Sequence, residues 1–296
     1  MFCPQCGEKI DFKAVFCPNC GAKIKEVKPI YTVKGKKLLQ AIKIGIPLLI
    51  LICIVIVGYT LFSHQAPKPL KYSTIHEAAA KGDIEDVKNH LRRGTAVNAR
   101  YGPFSMTPLH IAAETYQTKI AEFLIEKGAD VNAETIGYDF RWAHIYPIKT
   151  PLEIAAFNGF KEMVELLIKK GANLEKYGSN AINLAVAGFG WINGGPGSSS
   201  IRETSPELLS KMDHIGVIKT LIKHGVKPDD YSLIYALDDG YVDEKKESSL
   251  EIIRLLIEGG ANVNVRDKDG KTPLDKAETL GKKEIIDLLR EYGAKK

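Results

Sequence analysis

Three hydrophobic patterns succeed one another along the chain. Up to Lys43 the apolar residues are scattered among cysteines, glycines and lysines, too few to make a core. From Ile44 to Phe62 nineteen consecutive residues carry no charge. After Tyr72 apolar positions return in short amphipathic stretches, such as Ile120 to Ile125 and Met163 to Ile168, each preceded by a shorter apolar stretch and closed by glycine. The pattern predicts a short N-terminal unit, one long apolar helix, and an array of paired short helices.

The middle stretch has the length of a membrane span. At about 1.5 Å per residue it covers roughly 28 Å, close to the hydrocarbon thickness of about 30 Å. Pro47 falls in the first turn, where a missing N–H does least harm, and Tyr59 and Phe62 fall at the far interface. No small-residue cleavage site follows, so the stretch reads as an uncleaved signal anchor. Lys34, Lys36, Lys37 and Lys43 precede it closely, whereas Lys68 and Lys71 are the nearest cations after it. This asymmetry places the N-terminus in the cytoplasm and the remainder outside, periplasmic or extracellular. Cys53, mid-span, serves as a small apolar residue, and the prolines of His64 to Pro69 stiffen a short stalk.

Charge is as unevenly placed as hydrophobicity. The chain of 296 residues has a formal charge of +5. Met1 to Lys43 holds nine lysines against three acids, +6, which leaves −1 for the rest. A near-neutral array argues against an extended phosphate-binding surface. Of five cysteines none lies between Gly58 and Lys296, which excludes a secreted disulfide scaffold.

Four of those cysteines fall in the first twenty residues. Phe2-Cys-Pro-Gln-Cys-Gly7 and Phe16-Cys-Pro-Asn-Cys-Gly21 repeat one motif, in which Cys3 and Cys6, then Cys17 and Cys20, are two residues apart. Each pair turns tightly enough for two thiolates to share an ion, and the glycines free backbone amides to face sulfur. Two pairs complete a tetrahedral four-thiolate site with no open position, the geometry of one structural zinc ion. Redox-active pairs and an iron–sulfur cluster are the competing readings; neither pair has the βαβ context of a redox motif. Met1 to about Lys25 resembles a bacterial zinc-ribbon domain. So small a segment has almost no core, and the metal would supply its folding energy.

The array repeats Thr107-Pro-Leu-His-Ile-Ala-Ala113 as Thr150-Pro-Leu-Glu-Ile-Ala-Ala156, and in weaker form as Thr74-Ile-His-Glu-Ala-Ala79, Ala181-Ile-Asn-Leu-Ala185, Leu233-Ile-Tyr-Ala236 and Thr272-Pro-Leu-Asp-Lys-Ala277. The units close at Gly94, Gly128, Gly171, Gly225, Gly260 and Gly293, a base period near 33 to 34 residues with insertions. Thr caps a helix, Pro takes its first position, small residues let helices approach, and the closing glycine takes the left-handed conformation. This resembles the ankyrin repeat, about six copies over residues 72–296. The expected fold is mainly α: a zinc ribbon over 1–25, a basic linker over 26–43, a transmembrane helix over 44–62, a linker over 63–71 and the repeat solenoid. The resemblance implies projecting hairpin fingers, a concave protein-binding face and a scaffold role for His76 and His110. Asp267 to Thr272 mimics part of a calcium loop, but Val265 and Lys276 would occupy positions that need carboxylates.

Three insertions interrupt the period: Glu134–Ile148 in a finger, Gly188–Asp213 and Asp238–Ser249 between paired helices. The first carries Tyr138, Phe140, Arg141, Trp142 and Tyr146, residue types that dominate binding hot spots. The second includes Gly194-Gly-Pro-Gly-Ser-Ser-Ser200, which lacks the Gly-Lys-Ser/Thr ending of a phosphate loop. No catalytic constellation emerges. The expected function is a membrane-anchored ankyrin scaffold or adaptor with a structural zinc site and an unidentified protein partner. The alternative is a membrane-tethered regulator whose ribbon and basic segment bind nucleic acid or a transcription component. Against it, four thiolates around zinc carry about −2, offsetting part of the local positive charge. A hydrolase hidden in the edge insertions is a further rival.

Overall fold

In the computed structural model, the described residues are 69–136, 150–192, 205–237 and 247–295, with Phe16, Cys20 and Lys23 near the N-terminus. The chain divides into two compact units, Met1–Ala66 and Pro67–Lys296. Among the described residues no helix is long and apolar enough to cross a membrane. The stretch Ile44–Phe62 lies outside them, as do Cys3, Cys6 and Cys17.

The second unit is a stack of helix pairs. They are α1 (Ile75–Ala80) with α2 (Ile84–Arg92), α3 (Pro108–Glu114) with α4 (Thr118–Glu126), and α5 (Pro151–Phe157) with α6 (Lys161–Lys169). Next, α7 (Leu174–Ile192) pairs with α9 (His214–Lys223), and the one-turn α8 (Pro206–Leu209) precedes α9. Finally α10 (Ser232–Ala236) pairs with α11 (Glu247–Glu258), and α12 (Pro273–Thr279) with α13 (Lys283–Glu291). First helices pack on first helices, and from α4 onward second helices pack on second helices. Each pair therefore buries its apolar faces on its neighbours.

The repeated residues explain this packing. Ile75, Leu109, Leu152, Ile182, Leu233 and Leu274 occupy one buried column, and Ala78, Ala112, Ala155, Ala185, Ala236 and Ala277, each three residues further on, add another. The alanines carry only a methyl group, too small to hold the helices apart, so the column is closed to water. Second helices supply larger groups, among them Leu124, Leu167, Leu221, Leu256 and Leu289. All six closing glycines take the expected positive φ, from 82° at Gly293 to 103° at Gly260.

Three first helices start with the same reciprocal cap. Thr107, Thr150 and Thr272 each accept from the backbone N–H three residues on, and each is followed by Pro at the first helical position. The returning acceptor differs: His110 Nδ1 at 3.1 Å from Thr107 N, a Glu153 carboxylate oxygen at 2.8 Å from Thr150 N, and an Asp275 oxygen at 2.8 Å from Thr272 N. One job is thus done by imidazole, glutamate and aspartate. Because its Nδ1 accepts, His110 is the Nε2–H tautomer, a scaffold group. His110→Ala leaves the buried Thr107 N–H without its acceptor, at about 1 to 3 kcal/mol. Urea denaturation should show that loss, and a change below about half a kilocalorie per mole would refute the role.

Asparagines tie neighbouring repeats. Asn98 accepts from Asp130 N (2.9 Å) and donates to Gly128 O, Asn132 does the same with Asn173 N (2.8 Å) and Gly171 O, and Asn264 with Lys295 N (2.6 Å) and Gly293 O. At the array's beginning, the Asp86 carboxylate accepts Lys71 N (2.9 Å) and Tyr72 N (3.0 Å), while His90 Nε2 donates to Tyr72 O (3.1 Å). Asp86 and His90 are both buried.

The fourth repeat departs from expectation. Its first helix, placed by sequence at Ala181–Ala185, begins at Leu174 and runs nineteen residues to Ile192. No Thr-Pro pair interrupts Leu174 to Asn180, and Asn173 Oδ1 accepts from Lys176 N at 2.9 Å, so the helix starts where a finger would stand. The second insertion accordingly begins later than Gly188, and α8, capped by Ser205, occupies part of it. Likewise α11 opens at Glu247, within the expected third insertion.

Candidate interaction fingers and N-terminal cysteine site

The first finger is a small hairpin. Tyr101 and Met106 exchange backbone bonds at 2.9 and 3.0 Å, with Gly102 and Ser105 at positive φ in the turn. His76 Nε2 lies 2.8 Å from Ala99 O and 3.0 Å from Met106 O, and its ring stacks on Tyr101 at 5.2 Å. Burial pushes the His76 pKa below its ordinary value against the pull of these carbonyls. His76 therefore fastens the finger to its helix. His90, His214 and His224 are likewise engaged with backbone carbonyls.

The lengthened second finger leaves from a fixed root. Ile136 N donates to Phe104 O at 2.9 Å, and Arg100 Nη1 reaches both Ser105 O (2.9 Å) and Glu134 O (2.6 Å). On the other side the Glu134 carboxylate accepts from Tyr177 OH (2.6 Å) and Lys176 Nζ (2.7 Å). Burial raises the Tyr177 hydroxyl above its usual range, aided by the Glu134 bond, so it remains a donor at neutral pH. Tyr101 (58% exposed) and Ile136 (64% exposed) stand beside this root as large apolar side chains in water. Arg100, Tyr101, Glu134 and Ile136 belong to no motif that marks them as anchors; the arginine beside a finger is the signal the sequence offers. Tyr138, Phe140, Arg141, Trp142 and Tyr146 lie outside the described residues, so their placement in the finger stays an expectation.

The last finger settles the calcium-like stretch. Asp267 Oδ1 accepts from Asp269 N and Lys271 N at 2.9 Å each, and its other oxygen lies 3.5 Å from Lys276 Nζ. The carboxylate is thus occupied by its own turn and a lysine, as a structural finger requires.

Near the N-terminus, Phe16 and Lys23 form an antiparallel bridge, and Cys20, which lies between them in the chain, is exposed. Four thiols in two C-x2-C pairs are a donor set that suits a zinc ion, as the sequence has it.

The comparisons agree with these two parts. A zinc-ribbon domain model matches residues 2–24. A model of ankyrin repeats (3 copies) matches residues 75–176 and 208–296, about two thirds of the chain. Among solved structures, an ankyrin repeat domain from Acinetobacter baumannii AYE is 30% identical with TM-score 0.54, over 75% of this chain and 98% of that one. A second solved ankyrin repeat protein is 26% identical with TM-score 0.55, over 76% of this chain and 100% of its own. The NF-kappa-B inhibitor cactus of Drosophila melanogaster is 38% identical over 64 residues, 22% of this chain and 13% of cactus. Acyl-CoA-binding domain-containing protein 2 of Arabidopsis thaliana is 33% identical over 69 residues, 23% of this chain and 19% of that protein. The likeness to these two relatives thus spans less than a fifth of their length. With the family model covering most of the array, and with capped helix pairs, alanine columns and glycine closures recurring as that model requires, the chain belongs to the ankyrin-repeat family.

Proposed function

We infer that this protein is a membrane-anchored protein-interaction module. Its ankyrin array recognises a protein partner through the lengthened finger, and a zinc ribbon lies on the opposite side of the membrane. The ankyrin fold is an interaction scaffold, and cactus, which shares part of it, is named as an NF-kappa-B inhibitor. The observation that carries the reading is the finger root. Backbone and side chains from the repeats on both sides, Arg100 and Phe104 on one and Lys176 and Tyr177 on the other, hold residues 134–136. An aromatic excursion launched from a fixed base loses less conformational freedom on binding than a loose loop would.

The anchor is the uncharged stretch Ile44–Phe62, oriented N-in by the lysines before it. Cys3, Cys6, Cys17 and Cys20 would hold the metal, their thiolates staying competent in a reducing cytoplasm, and zinc would supply a structural cross-link there. Protease added to intact spheroplasts is expected to digest the repeats, whereas protection would reverse the orientation. For the finger, Trp142→Ala is expected to weaken partner capture by the full chain about thirtyfold, as truncating a hot spot typically costs about 2 kcal/mol. Its melting temperature should hardly move. A lowered melting temperature with unchanged affinity would remove the finger from the binding site and make Trp142 a packing residue.

A further inference from the structure

At the start of α4, α6 and α9 one residue packs back onto the turn of the preceding repeat. A Cβ on Gly82 would fall 2.8 Å from Gln117 Oε1, the Phe160 ring lies 4.9 Å from that of Tyr116, and a Cβ on Gly159 would fall 2.6 Å from His214 Nδ1. Of Gln117, Phe160 and His214 only the last titrates. Its imidazole sits where three segments meet: the end of α5, the C-terminal part of α7 and the start of α9. Nε2 is 2.9 Å from Phe157 O and donates to it, which leaves the lone pair on Nδ1. A Cβ on Gly188 would fall 2.7 Å from Nε2 and 1.8 Å from Phe157 O, so α7 approaches as closely as glycine permits. Phe189 meets the ring edge-on at 6.4 Å, and Asp213 N donates to Gly159 O at 2.7 Å beside it.

The polar surroundings leave no place for a second ring proton. Asp213 is the charged group acting on the imidazole, and its Oδ1 is already taken by Gly216 N at 2.7 Å, capping α9. On α9, Lys219 pairs with Glu251. From α5 and α7 the ring meets the Phe157 carbonyl, Gly159, Gly188 and Phe189, none of which titrates. Among the described residues Nδ1 has no hydrogen-bond partner. His214 is 4% exposed, so the ring is shielded from bulk water.

We propose that His214 is an acid-released latch. A proton added at Nδ1 puts a charge among apolar neighbours with no acceptor for the new N–H, and the last turn of α7 and residues 205–213 come away from α5. Burial pushes the His214 pKa down to about 4, against the Phe157 carbonyl and the Asp213 charge, which pull it up. The closed state favours the neutral ring. Its stability is therefore intact above the ordinary value of 6.5, falls as the pH drops from there toward 4, and changes little further below. Across pH 7 to 4.5 the opening equilibrium grows by roughly fiftyfold.

Hydrogen–deuterium exchange on the full chain, corrected for the intrinsic pH dependence of amide exchange, tests this. Peptides spanning 186–192 and 205–214 should lose at least tenfold in protection at pH 4.5, while those from α3 and α4 hold theirs. His214→Gln keeps an amide donor for Phe157 O but cannot titrate, and should abolish the change. If Gln does not fold at this place, His214→Phe serves, since Phe160 occupies the same position in the preceding repeat. PH-independent protection in the wild type overturns the latch. So does an equal acid response in the variant, which would assign the effect to carboxylates.

Discussion

Leu109→Asp is expected to unfold the first three repeats. Leu109 is fully buried in the column between Ile75 and Leu152. Removing such a side chain alone costs about 2 to 5 kcal/mol, and the substitution adds a carboxylate with no partner in an apolar site. The total approaches the 5 to 15 kcal/mol that typically holds a whole domain together. Repeats stabilise one another through their interfaces, so losing α3 also strips α1 and α5 of the face they pack on. Circular dichroism should report a large loss of helix, and denaturation a lost or much earlier transition. Leu109→Met, which preserves volume, should shift stability by less than about 1.5 kcal/mol. A helical, cooperative Leu109→Asp protein would show that the column does not carry the array.

Removing zinc is expected to have the second large effect, confined to residues 1–25. Structural zinc contributes on the order of 10 to 16 kcal/mol in comparable small domains at neutral pH, far above what so short a segment gains from burial. Elemental analysis of the purified full chain should find one zinc ion per chain. A chelator should make the first 25 residues protease-sensitive and leave the melting transition of the repeats unchanged. Cys17→Ser should imitate the chelator, because three thiolates no longer close the tetrahedron. Zinc absent from the preparation, or iron with sulfide in its place, would sink the assignment.

Legibility tracked how local each residue's task is. Thr107, Pro108, Leu109 and Ala113 act within one helix and its immediate neighbours, so the motif could be read straight from the chain and the structure follows it. The asparagine links were hidden, since Asn98 and Asn132 act on backbone one repeat away and leave no local signature. Tyr116 was hidden for a different reason. It holds φ 57° where Gly82, Gly159 and Gly281 stand in sister repeats, a conformation that its sequence context does not favour. Its hydroxyl donates to Glu162 and its ring packs on Phe160, and these contacts offset the strain; burial followed by Glu162 raises its pKa to about 12. The length of α7 was not legible, because the weak motif at Ala181 carries no Thr-Pro start of its own, and without one the helix begins at Leu174. Of the candidate site, the lengthened spacing before Thr150 was legible in the sequence. Its root was not, because Arg100 and Tyr177 reach it from other repeats.

The way the array grips its leading residues has a mechanical consequence. Asp86 and His90 stand one turn apart on α2, and together they hold both amides and the carbonyl across Lys71 and Tyr72. Tension applied ahead of Pro69 meets these bonds as a set, because two side chains on one rigid helix cannot release them in succession. The load passes into the second helix of the first repeat, bypassing the short α1 and its Thr74 cap. Pulled from that end, the first helix pair would come off as one block, giving a single abrupt extension in place of residue-by-residue unzipping.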